Sequence, residues 1–331
     1  MSGAELPSSI PLRESSRRDE IPPLPPPPIR PVPASRCYAA YSAALLVGVA
    51  TWVMLENQGT LEEPLWLGLA VTCTATAVIW IFSIASDNSS IYDPYWVIAP
   101  PFLALAMKAA DGDGLFGAWS SRQICIMVVF ALWATRYHTM YSWTGWRTGL
   151  VHEDWRYEAM RSAPVPYWLN SILGMHLFPT VLVYFAFAPA ALALANPPTS
   201  HAPLGIWDAL GMTGALAAVA IELVSDEQLR KYRDSETYAN GGAMREGLWK
   251  FSRHPNYFGE VLFWISMIPF AMSAGLMSDH AGLVLGGPII MALFFRFSSW
   301  LMDVRSLERR PEFQNVIDEV SAMMPWLPRK G

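Results

Sequence analysis

Charge is scarce in this 331-residue sequence: Asp, Glu, Lys and Arg make up 15% of it, against 53% hydrophobic residues. A soluble chain of this length would form about two ordinary domains. Here too few charges are present to cover their surfaces, which makes lipid the expected solvent. Cysteine is scarce too. The three, Cys37, Cys73 and Cys125, form neither a disulfide framework nor a metal-ligand spacing. Cys73 and Cys125 read as packing residues at lipid depth. Cys37 reads as juxtamembrane, where S-acylation is open to it. A secretory signal is absent, because the first apolar run begins too late and is too long for one. Paired broken helices in an internal repeat, the transporter signature, are absent as well.

What fills the chain instead is a series of apolar runs: Tyr38–Leu55, Leu65–Ala85, Trp96–Ala110, Ile124–Trp143, Tyr167–Ala195, Pro203–Val224, Tyr257–Met277 and Leu283–Val304. About 20 apolar residues cross a hydrocarbon core. Trp96–Ala110 is short and holds Pro100-Pro101, so a broken or re-entrant segment is expected there. The fold class that follows is all-α, a polytopic transmembrane bundle of seven or eight helices. Basic residues are missing from three of the four far-side connections, and the remaining one carries only Lys108 and Arg122. With eight crossings, 20 of the 23 Lys and Arg fall on one side. By the positive-inside rule that side, with both termini, is cytosolic. In a eukaryotic cell the endoplasmic reticulum membrane is the expected location. The formal net charge of −5 therefore says little about partners. The bilayer is one partner, and no nucleic acid is expected.

Residues 1–36, with "PPLPPPPIRPVP", have no hydrophobic periodicity. They are expected to form an extended, disordered cytosolic tail ahead of a membrane domain at 37–331. A solvated leader and a ligand for a proline-recognition partner are both open readings.

Polar residues gather on the basic side. "SDNSSIYDPYW" (Ser86–Trp96) offers Asp87 and Asp93 among tyrosines, with no basic residue of its own. The stretch after the fourth run interleaves Arg136, His138, Arg147, Glu153, Asp154, Arg156 and Arg161 with aromatics. Glu222, Asp226 and Arg230 recur at four-residue steps and share a helix face. Arg296 lies roughly 12 Å inside the last run at 1.5 Å per residue, and a charge inside a span normally faces a partner or a wet cavity. Glu260 enters the neighbouring run from the same end. A structural Arg296–Glu260 pair would account for both, and so would a polar pocket opening to the cytosol. The convergence of other polar groups favours the pocket.

In "GLWKFSRHPNYFGE" (Gly247–Glu260), Pro255 suits the first turn of a helix that begins near His254. Free N–H groups there, beside Lys250, Arg253 and His254, make a site for phosphate or carboxylate. Gly259 lets a flat ligand or another helix approach the backbone, and Tyr257 and Phe258 offer stacking surface. An anionic, partly aromatic ligand such as a nucleotide-type cofactor fits this chemistry.

The same block resembles the signature of the DUF1295, or steroid 5-alpha reductase C-terminal domain, family. The wider superfamily includes sterol C14 reductases and isoprenylcysteine carboxyl methyltransferases, which share an Arg-His-Pro-x-Tyr element. "IYDPYW", "EDWRY", "SDEQLRKYR" and "RPEFQNVIDEVSAMMPWLP" resemble further family blocks in the same order, covering about 87–328. The resemblance implies NADPH held in a cytosol-facing pocket. Asp226 and Asn256 fall at cofactor positions, Arg253, His254 and Tyr257 match the shared element, and Arg296 is the remaining carried-over residue. Glu222 departs from the asparagine of the steroid 5-alpha reductases. Asp93 stands where those enzymes have a glutamate, and Tyr137 or Tyr141 where they have a tyrosine.

The reading that follows is a membrane NAD(P)H-dependent reductase of a C=C bond in a lipophilic, enone-like substrate. Asp93 and Tyr137 would be catalytic. Arg230, Lys250 and Arg253 would hold phosphates, Asp226 and Asn256 amide and ribose groups, and Arg296 would balance charge at depth with Glu260 beside it. No metal is expected. An S-adenosylmethionine-dependent methyltransferase is the rival enzyme. A non-catalytic membrane protein of the same fold is the third class.

Overall fold

The computed structural model describes residues 30–59, 63–139, 151–196 and 203–329. The proline-rich stretch before Arg30, and also Tyr141 and Arg147, lie outside them. Helix α1 (Ala34–Asn57) pairs with α2 (Pro64–Ala85), which Pro64 starts at its first turn. A 3₁₀ turn at Ser89–Ile91 leads into α3 (Tyr92–Ala109). Helix α4 (Ser121–Arg136) begins with a capping box of Ser120 and Gln123. The short α5 (Trp155–Arg161) lies between α4 and the long α6 (Tyr167–Ala195), which contains a π-helical stretch at Ser171–Leu177. Helix α7 (Ile206–Arg233) is followed by α8 (Pro255–Ile265), α9 (Met267–Ser273), α10 (Met277–Arg309) and α11 (Phe313–Glu319). The described residues contain no strand.

Five helices, α1, α2, α6, α7 and α10, are long and apolar enough to cross a membrane. Two of the apolar runs behave differently from their sequence pattern. Pro100 and Pro101 sit inside a continuous α3, so the expected break does not occur. The seventh run does break, at Ser266, between α8 and α9. Its two pieces pack against α7, which presents Gly211, Ala215, Ala218 and Glu222 to them. The approach is close. A Cβ on Gly259 would lie 2.5 Å from Glu222 Cγ and 3.1 Å from the Ala218 carbonyl oxygen. Gly259 therefore serves another helix rather than a flat ligand.

The core is aromatic where α4, α6 and α8 meet. Phe263 stacks on Trp133 with centroids 5.1 Å apart, and Phe130 meets Phe187 and Phe263 edge to face. Cys37 is buried, away from the surface chemistry read for it, while Cys73 and Cys125 are half-buried packing residues.

Two polar layers cap this core. The one opposite the basic end is compact: Arg122 pairs with Asp208 at 2.6 Å and donates to Ser273 at 2.7 Å, and Lys108 pairs with Asp111 at 2.7 Å. Lys108, near the end of the third run, and Arg122, just before the fourth, are the basic residues that fall on this side, and both are paired. The layer at the basic end holds the site.

Candidate functional site

Helix α4 ends on Arg136, and its guanidinium receives three carboxylates. Asp226 lies 2.9 Å away, Glu260 3.8 Å, and Glu222 is in direct contact. Glu222 and Asp226 reach it from one face of α7, one turn apart; Glu260 comes from the second turn of α8. Two indoles complete the set. Trp264 Nε1 donates to Glu260 Oε1 at 2.8 Å and Trp133 Nε1 to Glu260 Oε2 at 3.2 Å. Asn256 Nδ2 lies 3.4 Å from Asp226 Oδ1. Glu222 is 2% exposed, Glu260 6% and Arg136 7%. Buried charge is tolerated only where it is paired and hydrogen-bonded. Here one guanidinium faces three carboxylates, and Glu222 Oε1 and Arg136 Nε are buried without a hydrogen-bond partner.

The next residue, Tyr137, turns the other way. Its hydroxyl donates to the main-chain carbonyl of Asp93 at 3.3 Å, and its ring packs edge-on against Trp96. Asp93 lies in the first turn of α3, outside the five spans. It does not cap that helix: Asn88 caps the preceding turn, accepting from Ser90 N. Instead its carboxylate accepts a 2.6 Å bond from the buried Tyr157 of α5. Burial, with Asp154 close by, pushes the Asp93 carboxyl up to about 7, against the opposing pull of Arg156. The connection has no basic residue in sequence, yet Arg156 is folded beside Asp93, and Arg30 and Arg161 pair with Asp87. Behind Trp96 lies a tight crevice of about 10 Å³, room for about one water, between α2, α3 and α6, lined by Tyr92, Tyr95, Thr72 and Thr180. Tyr257 sits between the two halves. Its hydroxyl is within electrostatic reach of Arg156, Asp154 and Asp226, and its ring stacks on His254 at 5.3 Å.

The Arg-His pair faces elsewhere. Arg253 Nη2 and Nε bind Asp303 at 2.8 and 3.1 Å, and Nη1 donates to the carbonyls of Ile317, at 3.0 Å, and Val320. His254 Nε2 meets Asp303 Oδ1, the oxygen that Arg253 Nε also reaches, at 2.9 Å. Ser252 Oγ donates to the Met323 carbonyl at 2.6 Å. These residues fasten the C-terminal segment to the bundle, so the donors read as phosphate ligands are already engaged within the chain. Arg230 is exposed and pairs with Glu227 at 2.8 Å, not with Asp226. Lys250 is exposed at the same end. Arg296 lies on an exposed face of α10, with Ser299 Oγ at 3.5 Å, so the Arg296–Glu260 pair does not form.

Of the residues read as site residues, Asp93, Tyr137, Asp226, Asn256, Tyr257 and Glu260 converge here. Arg253 and His254 form a neighbouring clasp, and Arg230, Lys250 and Arg296 stand outside both. Arg136, Tyr157, Trp133, Trp264 and Asp303 were missed. Arg136 reads as a topology signal and the tryptophans as core, and nothing local marks Asp303 as the partner of Arg253.

The helices define an integral membrane protein of the all-helical class with a polar site at one end of the bundle. The chain belongs to the DUF1295 family, a protein family of unknown function, whose model matches residues 79–319. It is 25% identical over 289 residues to an uncharacterized Schizosaccharomyces pombe protein, covering 80% of each chain. No solved structure matches it.

Proposed function

We propose that the protein is an NAD(P)H-dependent reductase of a C=C bond in a lipophilic, enone-type substrate. The observation that carries this reading is the dipeptide Arg136-Tyr137. Its two side chains join a buried carboxylate cluster to the protonatable Asp93–Tyr157 pair. The donor set suits one end of a dinucleotide. Asp226 and Glu222 offer acceptors and Asn256 and Arg136 offer donors for carboxamide and ribose groups, and the partnerless Glu222 Oε1 and Arg136 Nε are among them. Phosphates would meet exposed Lys250 and Arg233. NADPH, when bound, supplies the hydride. Asp93 keeps a proton near neutral pH, and Tyr157 holds its carboxyl in one orientation. That proton can be delivered to the substrate, or can polarise its carbonyl. Tyr95 and Trp96 are the aromatic surfaces against which a flat apolar group would lie once the crevice between α2, α3 and α6 opens to admit it. Entry of substrate from the bilayer and of cofactor from the basic, cytosolic end completes the reading.

One observation favours a second reading. Three carboxylates around one guanidinium match a sulfonium cation better than a phosphate, and Arg253 is committed to Asp303. Both suit S-adenosylmethionine and a methyl transfer. The test is direct binding of NADPH and S-adenosylmethionine to the purified protein in detergent. NADPH binding that weakens in Asn256→Ala supports the reductase. Binding of S-adenosylmethionine alone overturns it. Binding of neither points to a non-catalytic member of the fold.

A further inference from the structure

Residues 321–329 fold back on the basic end of the bundle and enclose a second cavity. Three main-chain bonds hold them there. Trp326 N–H donates to the Phe251 carbonyl, Arg329 N–H to the Glu319 carbonyl, and Arg253 N–H to the Ser321 carbonyl, each at 2.9 Å. The cavity measures about 310 Å³, the liquid volume of about ten waters, and Arg253, Glu319, Ser321, Trp326, Leu327 and Arg329 are among its walls. Two of its three charged side chains are matched within the chain: Arg253 by Asp303 and Glu319 by Arg245. The Arg329 guanidinium and the Ser321 hydroxyl pair with no other described residue. The cavity therefore carries one uncompensated positive charge.

The rim is of another kind. Met324, Trp326 and Leu327 are 66%, 71% and 72% exposed, three large apolar side chains within four residues. A site for a soluble anion gains nothing from such a rim, whereas a membrane surface does, and tryptophan belongs at headgroup level. The segment is tied through Arg253 to Asp303, close to the basic end of α10, so the rim stands where that helix leaves the bilayer. A guanidinium takes a phosphate through charge-assisted hydrogen bonds, and anionic lipids gather where basic residues meet the membrane surface. We propose that this cavity is a headgroup site for an anionic glycerophospholipid of the leaflet at the basic end. Arg329 and Ser321 hold the phosphate, and Met324, Trp326 and Leu327 lie against the glycerol and the upper acyl chains. The proposal does not depend on the reductase reading. Its structural consequence is that bound lipid tightens the clasp that Arg253 makes with Ile317 and Val320.

The experiment uses the full chain in a neutral detergent, with dioleoylphosphatidylserine and dioleoylphosphatidylcholine as probes and native mass spectrometry as the readout. Wild type is expected to bind the serine lipid about tenfold more tightly than the choline lipid, the scale of one charged hydrogen bond. Arg329→Gln should abolish that preference, and Arg329→Lys should keep part of it. Lys231, an exposed basic residue at the same end but off the cavity, is the control, and Lys231→Gln should change nothing. Added serine lipid should also slow cleavage after Val320 in wild type and not in Arg329→Gln. A preference that survives Arg329→Gln, or that Lys231→Gln removes equally, means diffuse attraction to the basic face and overturns the site. Cleavage that ignores the lipid overturns the tightening. Displacement of the lipid by equal glycerophosphoserine or inorganic phosphate would show a site for a free anion and overturn the lipid. Displacement by NADPH would assign the cavity to a nucleotide and overturn it as well.

Discussion

Tyr157 donates a 2.6 Å hydrogen bond to Asp93 across 64 residues of sequence, and it joins the short helix α5 to the start of α3. The bond gives Asp93 a fixed geometry, while burial raises its carboxyl to about 7 against the downward pull of that bond. Because the folded value of about 7 lies above the usual carboxylate range, folding favours the protonated form. The contribution to stability is fully present below about pH 4 and is lost as pH rises through 7. Asn cannot titrate. Melting temperatures of wild type and Asp93→Asn, measured from pH 4.5 to 8 in one detergent, should therefore diverge with pH, the wild type losing ground at the alkaline end. Parallel curves would mean that Asp93 titrates normally.

If the reductase reading holds, the same pair sets the rate. Tyr157→Phe removes the bond to Asp93 without removing the ring, and turnover should fall about 10-fold or more. Asp93→Asn should cost about 10²-fold or more, the scale of an acid–base group. NADPH affinity should not move in either variant, because neither residue touches the Arg136 cluster. Equal losses in binding and in turnover would place Asp93 in the binding surface instead.

Much of this was legible in sequence, for physical reasons. Pro255 announced the start of α8, because a residue without an N–H costs least there. Asp226 stood out by its four-residue spacing from Glu222, and Asn256 by the family resemblance of the block that holds it. What sequence could not carry was choice of partner. Arg253 has carboxylates and carbonyls within reach only because α10 and the C-terminal segment fold over it. A pair with Arg296, a basic residue at similar depth, is one sequence reading of Glu260, beside the favoured polar pocket. The chain chose Arg136, which reaches it from α4 through helix packing that no local pattern encodes. Pro100-Pro101 misled in the opposite direction: surrounding helices support a continuous α3 where the proline pair suggested a break.

Arg136 should be the most sensitive single position in the protein. Its removal leaves Glu222, Asp226 and Glu260 facing one another with only indole and amide donors. Losing one partner of a buried ion pair costs about 3–5 kcal/mol, so Arg136→Met should lower the melting temperature sharply or prevent insertion. Adding Glu222→Gln to that variant removes one of the stranded charges and should restore part of the loss. A double-mutant cycle on expression and melting reads the coupling. Additive effects would show that the two side chains do not share a cluster.

Arg253→Ala tests the clasp. Because its guanidinium holds Asp303 and the carbonyls of Ile317 and Val320, the substitution should free the C-terminal segment. Limited proteolysis after Val320 should accelerate about tenfold or more, and Asp303→Asn should reproduce part of the effect. A charged hydrogen bond is worth about 1.5–3 kcal/mol, enough for that change in local opening. If Arg253 instead serves a bound phosphate, proteolysis stays at the wild-type rate and NADPH affinity drops.

The two polar layers make the topology testable. Arg30, Asp93, Arg136, Asp226, Arg253 and Asp303 all belong to networks at one end of the bundle. Arg122, Asp208 and Ser273 belong to the other. Successive helices run between these layers, so Arg30 and Arg329 share an end. Single cysteines in a variant lacking Cys37, Cys73 and Cys125 can report this. Arg329→Cys and Lys231→Cys are exposed positions at the basic end, and Phe116→Cys is exposed at the other. In sealed vesicles of known orientation, an impermeant maleimide applied from the cytosolic side should label the first two and not Phe116→Cys. By the positive-inside rule, the side that labels carries most of the Lys and Arg between the apolar runs. Labelling of Phe116→Cys together with Arg329→Cys would break the link between the layers and the membrane faces. The carboxylate cluster would then no longer open toward a cytosolic ligand.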